Sequence, residues 1–129
     1  MNTESDEPRG GGIAQLRKGV APYCALALMA GRARYGYDLA RELAAAGVVA
    51  GAGSVYPLLA RMDEDGWVHS EWRQVDGAVP RKYYGLSPKG QAALDGFRVL
   101  WPQFVAEIGA ILTPGRAAGG GEGDGRDGG

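Results

Sequence analysis

Between Ile13 and Leu112 the spacing of apolar side chains changes period twice, and those two changes restrict the fold more than any single residue does. As far as Gly66 the apolar positions recur every three or four residues, which is the helical period. From Trp67 the period falls to two: Trp67, His69, Glu71 and Arg73 alternate with Val68, Ser70, Trp72 and Gln74, the pattern of a strand. Asp76-Gly77 and Pro80 mark a turn, and Arg81 to Leu86 reads as the returning strand of a hairpin. Ser87-Pro88 then restores the helix, a capping serine followed by proline at the first helical position.

The first helical stretch divides into three. Helix one is predicted from Ile13 to Ala30, with Ile13, Leu16, Val20, Tyr23, Ala27 and Ala30 as its recurring apolar positions. Pro22 lies inside it, so the helix is expected either to begin near that residue or to kink there. Gly31 ends it. Helix two is predicted from Gly36 to Ala46, with Leu39, Ala40 and Leu43 inward and Gly47 as its stop. After the link Val48 to Gly53, helix three runs from Ser54 to Gly66 and buries Val55, Leu58, Leu59 and Met62. Pro57 fits its first turn when Ser54 is the cap. The last helix carries Leu94, Phe97, Leu100, Trp101, Phe104, Val105 and Ile108, and runs to Leu112. Gly96, Pro102 and Gly109 interrupt it, and a kink after Trp101 is expected. The order helix, helix, helix, hairpin, helix predicts a mainly α (α+β) fold, a winged helix-turn-helix over residues 13–86 followed by a C-terminal helix over 87–112. That helix is apolar on more than one stripe, so a partner must bury part of it.

Composition bounds the remainder. Of 23 glycines in 129 residues, 11 fall in residues 1–12 and 113–129, and both ends have too little apolar surface to offset the entropy of ordering them. They are expected to be tails. The hundred residues between suffice for one modest core, which excludes a large metabolic enzyme. The longest apolar run, Ala25 to Ala30, is too short to cross a bilayer, and the polar, acidic start does not read as a signal peptide. The expected location is the cytoplasm. The net charge of −1 arises at the ends, because the middle holds 11 basic and 9 acidic residues. A site for a polyanion must therefore come from local clustering.

Two places supply such clustering. Opposite its buried stripe helix three presents Tyr56, Pro57, Ala60, Arg61 and Glu64. A groove-entering helix needs small residues for close approach, a phenol or guanidinium to reach bases and phosphates, and free amides at its N-terminus. Ser54, Tyr56, Ala60 and Arg61 meet that need. In the hairpin, Arg81 and Lys82 open the return strand and Arg73 lies across from them, which suits a phosphate rail diluted by Glu71 and Asp76. Asp63, Glu64 and Asp65 would repel phosphate, so that end of helix three should point away from a duplex.

These residues carry a resemblance. Leu16-Arg17-Lys18-Gly19, Tyr35-Gly36-Tyr37-Asp38-Leu39, Gly53-Ser54-Val55-Tyr56-Pro57-Leu58-Leu59, Asp65-Gly66 with Ser70-Glu71-Trp72, and Arg81-Lys82-Tyr83-Tyr84-Gly85-Leu86-Ser87-Pro88-Lys89-Gly90 stand in this order and spacing. Across Leu16 to Leu112 the chain resembles the PadR family of bacterial transcriptional regulators, and with one terminal helix it is similar to the short subfamily. The resemblance implies a homodimeric repressor of palindromic double-stranded operator DNA, paired through the last helix as its dimerisation helix and often released by a small, frequently aromatic effector. It assigns DNA contacts to Ser54, Tyr56 and Arg61 on the recognition helix and to Arg81 and Lys82 in the wing, with Tyr37 as a backbone contact. It also implies a hydrophobic cleft at the dimer interface, where flat ligands stack on a tryptophan in the position of Trp101. Phe97 and Val105 lie one turn to either side, with Pro22 and Leu26 of helix one facing them. Gly51 and Ala52 stand where the family commonly places serine and proline, and this implies a weaker cap on the recognition helix.

Other readings are duller. Cys24 lies in an apolar helix without a cationic neighbour and reads as a small buried residue, and His69 reads as a surface strand residue. No catalytic set, metal cluster or cofactor-binding glycine loop is assembled, so an enzyme is not expected. Two alternatives remain beside the regulator: a winged helix used for protein interaction without DNA binding, and a ligand carrier or small enzyme built on the Trp101 cleft.

Overall fold

The computed structural model describes residues 12–115; the remaining parts of the two ends read as tails lie outside the described residues. The elements follow in the order α1 (Gly12–Leu28), β1 (Arg34–Tyr35), α2 (Gly36–Ala45), a 3₁₀ turn (Ala52–Ser54), α3 (Val55–Glu64), β2 (Val68–Arg73), β3 (Arg81–Leu86) and α4 (Pro88–Leu112). The strands form one antiparallel sheet in the order β1-β3-β2. This is the expected winged helix-turn-helix, with α2 and α3 as the helix pair and β2–β3 as the wing. No helix among the described residues is long and apolar enough to cross a membrane.

Burial follows the sequence pattern on α2 and α3. Leu39, Ala40 and Leu43 of α2 and Val55, Leu59 and Met62 of α3 form the core, with Leu58 packed at its edge. On α1 the inner face differs from the expected one. Ala21, Ala25, Leu26 and Met29 are buried, Ala27 is exposed, and Ile13 and Leu16 near the start are more than half exposed. The stretch after Gly19 is apolar almost all round, so its spacing alone could not select a side. Val68 of β2, Tyr84 of β3 and Leu94 of α4 close the core.

The helix stops are explicit. Gly47 and Gly66, at φ +78° and +80°, take the left-handed conformation that follows each helix. Val48 N–H donates to the Leu43 carbonyl and Trp67 N–H to the Met62 carbonyl, each reaching back over its glycine, while Gly47 and Gly66 donate to Ala44 and Asp63. Both ends are therefore Schellman motifs. In the wing, Asp76 and Gly77 have positive φ of 38° and 73°, and Ala78 N–H donates to the Val75 carbonyl, the arrangement of a type I′ turn.

Of the two expectations for Pro22 the late start is excluded: α1 runs through that residue from Gly12, and α4 runs through Pro102 to Leu112 as one helical element. Each proline leaves one carbonyl, that of Lys18 or Arg98, without its usual helical donor.

The start of α4 is tied down by Ser87. Its Oγ accepts from Gly90 N–H at 3.0 Å and donates to the Gly66 carbonyl, while its own N–H donates to the Trp67 carbonyl at 3.1 Å. Removing the hydroxyl leaves two partners unmatched, so Ser87→Ala is expected to cost about 1–2 kcal/mol of stability. Urea denaturation of the variant and of Ser87→Thr, which keeps the hydroxyl, checks this. The chain falls into two compact units, one ending at Leu94 and the other beginning at Asp95. The first contains the core; the second continues α4 and exposes Val99, Leu100, Phe104, Val105, Ile111 and Leu112.

Candidate nucleic-acid interface

Because α3 buries Val55, Leu59 and Met62, its other side is free, and Ser54, Tyr56, Pro57, Ala60 and Arg61 are all exposed there. Tyr56 shows 44% of its surface. The cap differs from the expected one. Ser54 is αR (φ −73°, ψ −13°) and makes no capping bond to α3; its Oγ donates instead to the Gly51 carbonyl at 2.7 Å. The helical path is extended backwards by the 3₁₀ turn Ala52–Ser54, which opens at an extended Gly51. Neither residue supplies a side-chain cap. The 3₁₀ turn itself takes up the first amides, Ser54 N–H donating to the Gly51 carbonyl and Val55 N–H to that of Ala52.

The acidic end of α3 is engaged by the fold. Asp63 accepts a hydrogen bond from Ser70 Oγ at 3.2 Å, and the Asp65 carbonyl accepts one from Lys89 Nζ at 2.9 Å.

The wing cations do not form one patch. Register pairs Arg73 with Arg81 and Trp72 with Lys82, and residues paired across a ladder share a face. Arg73, Arg81 and Tyr83 therefore lie on one side and Lys82 on the other. Arg73 sits over the Tyr83 ring at 4.4 Å and Arg81 over Tyr35 at 4.9 Å, while Tyr35 and Tyr83 stack on each other at 5.8 Å. Arg41 of α2 lies 5.6 Å from the Tyr37 ring, and Tyr37 in turn packs against Tyr35. Lys82 stands 5.7 Å from the exposed Trp72 ring and 5.6 Å from that of Tyr84. Aromatic faces hold these guanidinium groups without cancelling their charge, so the hydrogen-bond donors stay available to phosphate. Glu71 pairs with Arg73 and offsets that cation.

Tyr35, Tyr83, Arg41 and Trp72 were missed as site residues in the sequence. Tyr35 belongs to β1, a two-residue strand that pairs with β3 and brings Tyr35 opposite Tyr83. The available signal was the alternation Arg81, Tyr83, which already put a cation and a ring on one face of the strand.

The residues assigned to an effector come from α1 and from α4. Leu26 is fully buried within the core and has no surface to offer a ligand, which removes it from that set. Pro22 lines a cavity between α1, the α2–α3 link and α3. On α4, Phe97 and Trp101 stack at 5.3 Å with Phe104 6.2 Å beyond, and Trp101 and Val105 are exposed. Cys24 is half-buried, and burial pushes its thiol pKa up, opposite to what a reactive cysteine needs. His69 is exposed on β2.

A helix-turn-helix whose outward helix offers hydroxyl, phenol and guanidinium, with a hairpin of cations seated on aromatic rings, defines a winged-helix DNA-binding module. Residues 25–96 match the transcriptional regulator PadR-like family. The chain belongs to that family and is a DNA-binding transcriptional regulator rather than an enzyme. Transcriptional regulator Rv3488 of Mycobacterium tuberculosis is 36% identical over 74 residues, which are 57% of this chain and 68% of that protein. A PadR-like regulator from Bacillus cereus shares 30% identity at a TM-score of 0.68, over 77% of this chain and 97% of its own. PadR of Bacillus subtilis, solved in complex with operator DNA, shares the fold at 18% identity and a TM-score of 0.54, over 72% of this chain and 64% of its own.

Proposed function

We propose that this chain is a homodimeric repressor that lays α3 in the major groove of a palindromic operator and sets its wing on the flanking phosphates. The observation that supports this best is the outward face of α3, where Ser54, Tyr56 and Arg61 surround the small Ala60 beside an uncapped helix start. In this reading Tyr56 and Arg61 reach base edges, while Arg73, Arg81, Lys82 and Tyr37 position the backbone. The dimer forms through the apolar side of α4, and an aromatic effector stacking on Trp101 between Phe97 and Val105 releases the DNA. The Phe97–Trp101 stack supports that last step, since it already presents a flat surface to a ring.

The test is binding to a labelled fragment of the protein's own upstream DNA over a series of salt concentrations, with an unrelated fragment as control. Selective binding that weakens steeply with salt is expected. Tyr56→Ala should remove most of the selectivity, and Arg81→Gln/Lys82→Gln, which takes two cations from each subunit of the dimer, should weaken both fragments and flatten the log–log salt slope by about 4. Unchanged operator affinity in both variants would assign the groove contacts elsewhere.

A further inference from the structure

The cavity that Pro22 lines has a lining suited to a ligand of its own. It has a volume of about 360 Å³ and is bounded by the N-terminal half of α1, the link Val48 to Ala50 and the outer flank of α3. That volume is at the lower end of what small-molecule sites use. Its floor is apolar: Ala21 is buried, and Pro22, Val48, Val49 and Leu58 are half-buried. Its remaining lining includes three cations, Arg17 and Lys18 from successive positions of α1 and Arg61 from α3, and none of the lining residues is acidic. Among the described residues none of the three cations has an ion-pair partner. An apolar floor under unpaired positive charge is complementary to one kind of small molecule, with a hydrophobic body and a single anionic head.

We propose that this cavity binds a small hydrophobic carboxylate, its apolar body on Pro22, Val49 and Leu58 and its carboxylate between Arg17, Lys18 and Arg61. Ser54 and Arg61 line the same cavity and also belong to the exposed face of α3. A carboxylate held there takes Arg61 away from DNA and brings negative charge to the start of the recognition helix, where a phosphate would otherwise sit. Ligand and operator therefore compete. The binding step stands without the DNA-binding surface proposed above; the competition step rests on it.

Calorimetric titration of the full chain with 2-naphthoate and decanoate, and with the corresponding neutral alcohols, tests the site. At least one carboxylate is expected to bind about tenfold or more tighter than its alcohol. Arg17→Gln/Lys18→Gln should erase that preference, and Ala14→Phe, which fills the cavity from a half-buried position in its lining, should abolish binding. Trp101→Ala should leave it intact. Equal binding of acid and alcohol, no binding of either carboxylate, survival of binding in Ala14→Phe, or its loss in Trp101→Ala would each overturn the proposal. The carboxylate should also release operator DNA from the native chain and fail to release it from Ala14→Phe. A chain that binds the carboxylate but no DNA would overturn the repressor reading while leaving the site in place.

Discussion

Replacing Gly90 with alanine is expected to cost about 3 kcal/mol and lower the melting temperature by more than about 10 °C, the largest loss from adding a single methyl to a glycine among the described residues. A Cβ built on Gly90 would stand 2.0 Å from the carbonyl oxygen of Trp67 and 2.9 Å from its carbonyl carbon. Those atoms are backbone, and no rotamer change can move them aside. The same carbonyl accepts Ser87 N–H, so displacing it also disturbs the hydrogen bonds that seat α4. Helix propensity pulls the other way by about 1 kcal/mol and is the smaller effect. Gly96 makes the contrast, because a Cβ there meets nothing within 4 Å. Gly96→Ala should be neutral or stabilise by up to about 1 kcal/mol. Thermal melts of both variants at one protein concentration separate the two effects, and equal melting temperatures would remove the close approach from the account.

Gly90 also illustrates what sequence can carry. Its place in Ser87-Pro88-Lys89-Gly90 reads as the first turn of a helix, which it is, but the contact that demands glycine comes from Trp67, twenty-three positions earlier. The wing divides in the same way. Asp76-Gly77 is legible because a tight hairpin turn asks for positive φ at both residues, and short polar or glycine side chains tolerate it. Strand alternation placed Arg73 opposite Arg81. What it could not supply was β1, whose two residues are too few to show a period, and without β1 the ring of Tyr35 has no known place. The arrangement of Arg81 on Tyr35 and Arg73 on Tyr83 exists only once three strands are in register. On α3 the exposed face was readable because its apolar positions form one narrow stripe. On α1 it was not, since apolar residues occur on nearly every side and tertiary packing selected Ala21, Ala25, Leu26 and Met29.

The second large effect concerns α4. Leu94, Phe97, Trp101, Phe104, Ile108 and Ile111 follow one another at alternating steps of three and four, an average of 3.5 residues. That spacing keeps a seam facing a second helix over its whole length. Leu94 is buried in the core, but from Trp101 onward the seam is open, with Phe104 49% and Ile111 74% exposed. Burying a phenylalanine or isoleucine stabilises by about 1.5–3 kcal/mol, so a helix from a second copy has several kcal/mol to gain along this seam. Phe104→Glu/Ile108→Glu removes two of its central members and sets like charges one turn apart. Sedimentation should then find a monomer in place of a dimer at micromolar concentration. Residues up to Leu94 should keep their fold, because neither position belongs to the core. Operator affinity should fall about 100-fold or more, since a tethered second half-site acts at an effective concentration near millimolar and a monomer loses it. Both changes should appear together. A variant that stays dimeric would place the interface elsewhere, and a monomer that keeps full operator affinity would mean that one winged helix carries the recognition alone.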